Sequence, residues 1–112
     1  MIVVEGFFDT IMVHQAGYPV VGLIGSTLSR HQRDLLAGHF DRVLLMLDGD
    51  QAGRQGAVSI AEMLGDRISV SVISLKDGQQ PDDLTPSDIR NLMAPYGSLT
   101  ASVAAAETPH AQ

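Results

Sequence analysis

Val3-Val4-Glu5-Gly6-Phe7-Phe8-Asp9 and Leu44-Leu45-Met46-Leu47-Asp48-Gly49-Asp50-Gln51-Ala52-Gly53-Arg54 are built alike. Each is an apolar run that ends abruptly in carboxylates and glycine. Continuous aliphatic runs of this length read as strands buried on both faces, as in a parallel sheet covered by helices. The carboxyl ends of such strands open onto the crevice where open α/β sheets bind ligands. The two stretches therefore predict four acidic side chains, delivered in pairs from two strands to one edge of a sheet.

The rest of the chain fits that frame. Residues 2–5 and 42–47 are the two strands just named, and 20–24 and 68–75 read as two more. Phe7, Phe8, Ile11, Met12 and Ala16 follow the first strand at helical spacing, and Gly17 with Pro19 ends that helix. Phe7 and Phe8 are thereby expected in the core. A second helix over 29–38 carries Leu35 and Leu36 inward. A third shows Ala57, Ile60, Ala61 and Leu64 at i, i+3, i+4 and i+7, with Gly65 as its C-cap. Thr85-Pro86-Ser87-Asp88 is a helix start: Thr85 caps, Pro86 takes the first position, and Asp88 faces the positive end of the dipole. Alternation of strand and helix argues for an α/β fold, a four-stranded parallel sheet with right-handed crossovers and helices on both faces. Convergence of Glu5 and Asp48 requires the order 2-1-3-4. The domain is expected over 1–95, with 96–112 a flexible C-terminal tail carrying at most a frayed helix over 99–107.

Composition limits the function classes. The 112 residues suit one domain, and 45% are apolar. With no cysteine there is neither a disulfide framework nor a zinc ribbon, and no histidine has a partner at metal-ligand spacing. No apolar run approaches the ~20 residues that span a bilayer, so no membrane is expected and the cytoplasm is the predicted location. Net charge is −6, with seven lysines and arginines. A domain that held nucleic acid alone would show a basic face, because neutralised phosphates supply most of the affinity. A metal must bridge the acids to phosphate, or another domain must supply positive charge.

The acids themselves read in two ways. Asp48 and Asp50, separated by Gly49, are placed to ligate a hard cation, and equally to cap the helix that starts at Gln51. Glu5 follows three aliphatic residues, where a carboxylate is costly unless paired or bound to a cation. Asp9 lies four residues on, in the first helical turn. Taken together, the two clusters favour a divalent metal site, Mg²⁺ or Mn²⁺, serving phosphate chemistry. Arg54, Lys76 and the Gly25-Ser26 turn are candidate phosphate contacts, although Ser or Thr capping explains that turn as well.

Five segments in order, Glu5-Gly6-Phe7-Phe8-Asp9, His14-Gln15-Ala16-Gly17, Gly25-Ser26-Thr27-Leu28-Ser29, Asp48-Gly49-Asp50-Gln51-Ala52-Gly53-Arg54 and Leu75-Lys76-Asp77-Gly78-Gln79-Gln80-Pro81-Asp82, resemble the Toprim domain over residues 2–93. The version they resemble is that of bacterial replicative primases. The resemblance implies a Rossmann-like sheet in which Glu5, Asp48 and Asp50 are catalytic. It also implies that Glu5, Asp9, Asp48, Asp50 and Asp82 serve Mg²⁺. The activity it implies is nucleotidyl transfer, joining ribonucleotides into RNA primers on single-stranded DNA during replication. Its partners would be nucleoside triphosphates, the template, and further domains or replication proteins. Topoisomerases and small nucleases use the same acids on phosphodiesters, and a non-catalytic metal- or partner-binding module is the third reading. Gln80 stands where primases commonly carry Asp, which removes one charge from the second metal position; Asp83 is the candidate to compensate. A complete primase would also carry a zinc-binding domain and a basic subdomain, and neither is present in these residues.

Overall fold

A computed structural model describes residues 1–25 and 27–97. The elements are β1 (Ile2–Val4), α1 (Phe7–Gln15), β2 (Val20–Gly22), α2 (Arg30–His39), β3 (Arg42–Leu45), α3 (Gln51–Leu64), β4 (Ser69–Val72) and α4 (Pro86–Met93). Short 3₁₀ turns lie at Gly65–Arg67, Pro81–Asp83 and Ala94–Tyr96. The four strands form one sheet in the order β2-β1-β3-β4, and every pairing is parallel. β1 and β3 are neighbours at its centre, as convergence of Glu5 and Asp48 demands.

Alternation along the central strands sorts the core into two layers. Ile2, Val4, Leu44 and Met46 face one side, packed under Val13 of α1, Ala16 at its C-terminal cap, and Ile89 and Met93 of α4. Val3, Val43, Leu45 and Leu47 face the other, under Leu36 of α2 and Ala57, Ile60 and Leu64 of α3. Both faces are thus covered, which is why β1 and β3 read as unbroken aliphatic runs. Gly65 caps α3 at φ 50°, and Thr85 caps α4 by accepting the Asp88 N–H at 3.1 Å.

All four strands are shorter than the apolar runs suggest. β1 stops at Val4, β2 at Gly22, β3 at Leu45 and β4 at Val72. Single bonds carry the ladders a step further, Leu23 N to Val4 O, Met46 N to Val3 O and Ile73 N to Leu45 O, each at 2.9 Å. The residues after them belong to the loops that build the site. Two expectations about the core fail. Phe7 and Phe8 are exposed, and so is Ile11. The inward face of α1 runs through Asp9, Val13 and Ala16, so positions 7, 8 and 11 fall on the opposite side of a 3.6-residue helix. Leu35 is likewise exposed while Leu36 is buried, because adjacent helical residues point about 100° apart. The 3₁₀ turn reaches Tyr96, whose carbonyl accepts Arg42 Nη2 at 2.7 Å. Most of the tail predicted for 96–112, including the frayed helix over 99–107, lies outside the described residues. No helix among the described residues is long and apolar enough to cross a membrane.

A candidate metal and phosphate site at the carboxyl edge of the sheet

β1 and β3 are adjacent and end side by side, so the residues that follow them meet. Glu5 Oε2 accepts the backbone N–H of Asp48 at 2.8 Å, which sets their carboxyl groups against each other at the centre of the edge. Asp9, from the first turn of α1, is buried; its two oxygens accept the N–H of Gly6 at 3.2 Å and of Asp82 at 3.0 Å. The second bond draws the Pro81–Asp83 turn onto α1 and brings the Asp82 carboxylate near Asp9, close enough for its charge to be felt there. Glu5, Asp9, Asp48 and Asp82 are therefore one cluster, gathered from three separate stretches of chain.

Asp50 behaves differently. Its side chain turns back and accepts the Gly53 N–H at 2.7 Å, capping α3. Asp48 lies past the end of β3, in the loop, so the alternation of a strand does not orient this pair. Asp83, the candidate to stand in for the charge missing at Gln80, accepts the N–H of Gln80 itself at 2.8 Å. Arg54 pairs with Asp77 and lies 3.5 Å from the Gly49 carbonyl. The Gly25 N–H, expected to face phosphate, is held by the Glu5 carbonyl at 3.2 Å. Lys76 is exposed on the loop beside the cluster. Ser26 lies outside the described residues.

Glycine makes this packing possible at two positions. A Cβ on Gly49 would fall 2.0 Å from the Lys76 carbonyl oxygen, and one on Gly53 would fall 2.1 Å from that of Asp48. Gly49 is clasped on both sides, its N–H donating to Gln79 O and its carbonyl accepting from Gly78 N, each at 2.7 Å. The loop after β3 and the loop after β4 are thus fused through backbone bonds. Sequence reading found the acids but missed this clasp and the Arg54–Asp77 pair. The recurrence of Asp-Gly at 48–49 and 77–78 was the available signal.

Electrostatics single out Asp48. Its carboxyl is pushed up to about 7, first by burial and then by the charges of Glu5, Asp9 and Asp50. Asp48 Oδ1 is buried with no hydrogen-bond partner. Asp9 is also raised, by burial, although its two backbone donors oppose the shift. A buried oxygen without a donor, among negative charges, is the environment that a hard cation relieves. Among the described residues no group of three or more acidic, histidine or cysteine side chains is placed to hold a metal ion. Mg²⁺ does not require such a group: it takes one or two carboxylates and keeps waters and substrate phosphates as its other ligands. The all-oxygen donors at Glu5 and Asp48 fit such an ion.

A profile of the family described as Toprim-like matches residues 2–85. The chain belongs to the Toprim-like family. This Toprim chain is 34% identical over 88 residues to the DNA primase of Rickettsia typhi, a stretch that covers 74% of the chain and 15% of that primase. It superposes on the Aquifex aeolicus primase, solved as its zinc-binding and RNA polymerase domains, with a TM-score of 0.74 and 30% identity. That match covers 84% of the Toprim chain and 25% of the other. A primase catalytic domain solved bound to single-stranded DNA matches with a TM-score of 0.70 and 25% identity, covering 98% of the chain and 38% of that domain. The Toprim chain thus resembles the catalytic cores of primases while spanning a small part of the relatives' length.

Proposed function

We propose that this Toprim domain is a divalent-metal-dependent module of DNA primase type, contributing to nucleotidyl transfer in primer synthesis. One observation carries the reading: the Glu5 carboxylate is held on the Asp48 backbone N–H at the ends of the two central strands, with a buried Asp48 oxygen left unpartnered. Glu5 and Asp48 hold Mg²⁺ or Mn²⁺ in this reading, with Asp9, Asp50 and Asp82 around them. Such an ion supplies neutralisation of the triphosphate and of the charge that develops as a 3′-hydroxyl attacks it. The protein's own part is to fix the acids. The Asp48 N–H orients Glu5, and Gly6 and Asp82 orient Asp9. The N-terminus of α3 lies beside the cluster and favours an anion. Arg54 reaches phosphate once it releases Asp77.

Net charge and coverage favour a dependent module over a self-sufficient enzyme. At −6 the surface repels a template strand, and a strand needs a positive groove with stacking side chains. The isolated chain is therefore expected to bind metal and nucleotide but to prime or cut DNA poorly. Titration with Mn²⁺, followed by paramagnetic broadening of NMR signals, tests the metal site; loss confined to residues 5–9, 48–52 and 77–83 is expected, and uniform broadening contradicts it. An assay with template, ribonucleotides and Mg²⁺ tests dependence. Robust primers abolished by Asp48→Asn would show the chain to be sufficient, and metal-dependent cleavage without synthesis would favour the nuclease reading.

A further inference from the structure

β4 is an outer strand of the sheet, paired on its inner side with β3. Ser69 N donates to Asp41 O at 3.1 Å and Ile73 N to Leu45 O at 2.9 Å. Alternation along the strand therefore turns the backbone groups of Val70 and Val72 toward the free side. Proteins commonly guard such an edge with charge, proline or a bulge. β2, at the opposite edge, follows Pro19 and ends in Gly22, whereas Ser69-Val70-Ser71-Val72 holds no charged residue, proline or glycine. Beside this edge α3 presents Arg54, Ala57, Val58, Ala61 and Glu62, which line one groove together with Val72. Val58 is 59% exposed and Val72 47%. An unguarded edge and an apolar helix face thus adjoin one another.

The order of charge along α3 says what fits the groove. Arg54 stands four residues before Val58 and Glu62 four after it, on the same side of the helix. A second α3 laid antiparallel, with Val58 on a two-fold axis, sets each Arg54 against the other Glu62. Self-complementarity of this kind is what a two-fold contact between identical chains requires. We propose that this face joins two copies of the chain, the β4 edges pairing antiparallel about Ser71 and the α3 helices packing antiparallel about Val58. Val70 of one copy then exchanges both its backbone bonds with Val72 of the other. Ala57, Val58 and Ala61 close an apolar seam above the joined strands. Arg54 Nη2 is engaged by Asp77 and the Gly49 carbonyl, and a guanidinium carries further donors for Glu62 of the second copy. Such a pair fixes register more than it adds affinity. The net charge of −6 works against self-association in general, and this face is the place where one cation and one anion per chain offset it. In the dimer the carboxyl edges of the two sheets point opposite ways, so both acidic clusters stay open. The proposal does not depend on what those clusters bind.

Sedimentation equilibrium of the full chain over a concentration series tests this. Wild type is expected to dimerise with a micromolar dissociation constant, as suits a contact of modest area. Val58→Glu sets two like charges on the axis and should leave a monomer throughout. Glu62→Arg should weaken the dimer roughly tenfold through like charges at both crossings, and adding Arg54→Glu should recover most of the loss. Val58 is exposed, so circular dichroism of the dilute Val58→Glu variant should match that of dilute wild type. Hydrogen exchange reads the strands directly: the Val70 and Val72 amides should be protected in concentrated wild type and exchange freely in dilute. A wild type that stays monomeric overturns the proposal and leaves the face to another domain or protein. A dimer that survives Val58→Glu, or that leaves those two amides unprotected, lies elsewhere on the surface and overturns it as well. A charge-swapped double variant no tighter than Glu62→Arg alone overturns the antiparallel register, and the proposal with it.

Discussion

Glu5 Oε2 accepts the backbone N–H of Asp48 at 2.8 Å, joining residues 43 positions apart. A carboxylate thus lies against the backbone of a second acid whose own side-chain oxygen has no donor. The pairing orders the loop after β3, and it also concentrates like charge. Glu5→Gln keeps an acceptor and removes a charge, so Asp48 should titrate lower, and the metal-free protein should unfold no more easily at pH 8. Glu5→Ala leaves the Asp48 N–H unsatisfied and should cost about 1–2 kcal/mol. NMR titration of the Asp48 carboxyl and urea denaturation check the two.

Stability of the metal-free chain should fall as pH rises. The Asp48 carboxyl is pushed up to about 7 in the fold, from an ordinary value near 3.8. Between those values the native state binds more protons than the unfolded state, which makes the pH slope of unfolding free energy negative. The loss spans about pH 4 to 7 and levels off above. Added Mg²⁺ should restore stability in the upper part of that range, and Asp48→Asn should flatten the profile. Urea midpoints from pH 4 to 8 read both effects.

Asp50 separates capping from ligation. Asp50→Asn retains an oxygen for the Gly53 N–H and should leave stability nearly unchanged. Asp50→Ala removes the cap and should cost about 1 kcal/mol. If both variants weaken Mn²⁺ binding alike, charge at this position matters to the metal; if only the alanine variant does, the cap does. Denaturation with parallel Mn²⁺ titration distinguishes the outcomes.

Glycine substitutions should divide by their surroundings. Gly49→Ala drives a methyl into the Lys76 carbonyl and Gly53→Ala into that of Asp48, and each should cost roughly 3 kcal/mol, the upper range for overpacking. Gly38→Ala, in α2 with nothing within 4 Å of the added carbon, should stabilise by about 0.5 kcal/mol through a less flexible unfolded chain. Thermal or urea unfolding of the three variants suffices.

Asp77 restrains Arg54 from an exposed position. Asp77→Asn should barely alter stability, as surface pairs contribute little. It frees the guanidinium for phosphate, so affinity for Mn²⁺-loaded triphosphate should rise several-fold, and Arg54→Ala should reverse the gain. Calorimetry on the single and double variants measures the coupling.

Much of this arrangement was legible in the residues. Aliphatic runs that end in Glu5 and in Asp48 marked the central strands, since burial on both faces leaves no polar alternation to confuse them with surface strands. The same endings located the acidic cluster, because a carboxylate after a buried run has to lie at an edge. Gly65 and Thr85 marked helix ends through local backbone demands that need no distant partner. The five motifs established the family, and the sheet order followed from requiring two strand ends to meet.

Other features depended on contacts between segments. Phe7 and Phe8 look like core by composition, and only the packing of Val13 and Ala16 against the sheet sets the phase of α1 that exposes them. Asp50 could equally have faced a cation; in the fold its shortest bond is to its own helix. The Asp9–Asp82 bond, the Gly49 clasp and the unpartnered Asp48 oxygen arise where loops from opposite parts of the chain close on one another. Periodicity and capping act within a turn or two of chain, so sequence alone determined the strands, the helices and which acids reach the edge. The direction in which each acid points, and which of them loses its water, was decided by long-range packing, because desolvation and hydrogen bonding depend on neighbours that sequence spacing does not specify.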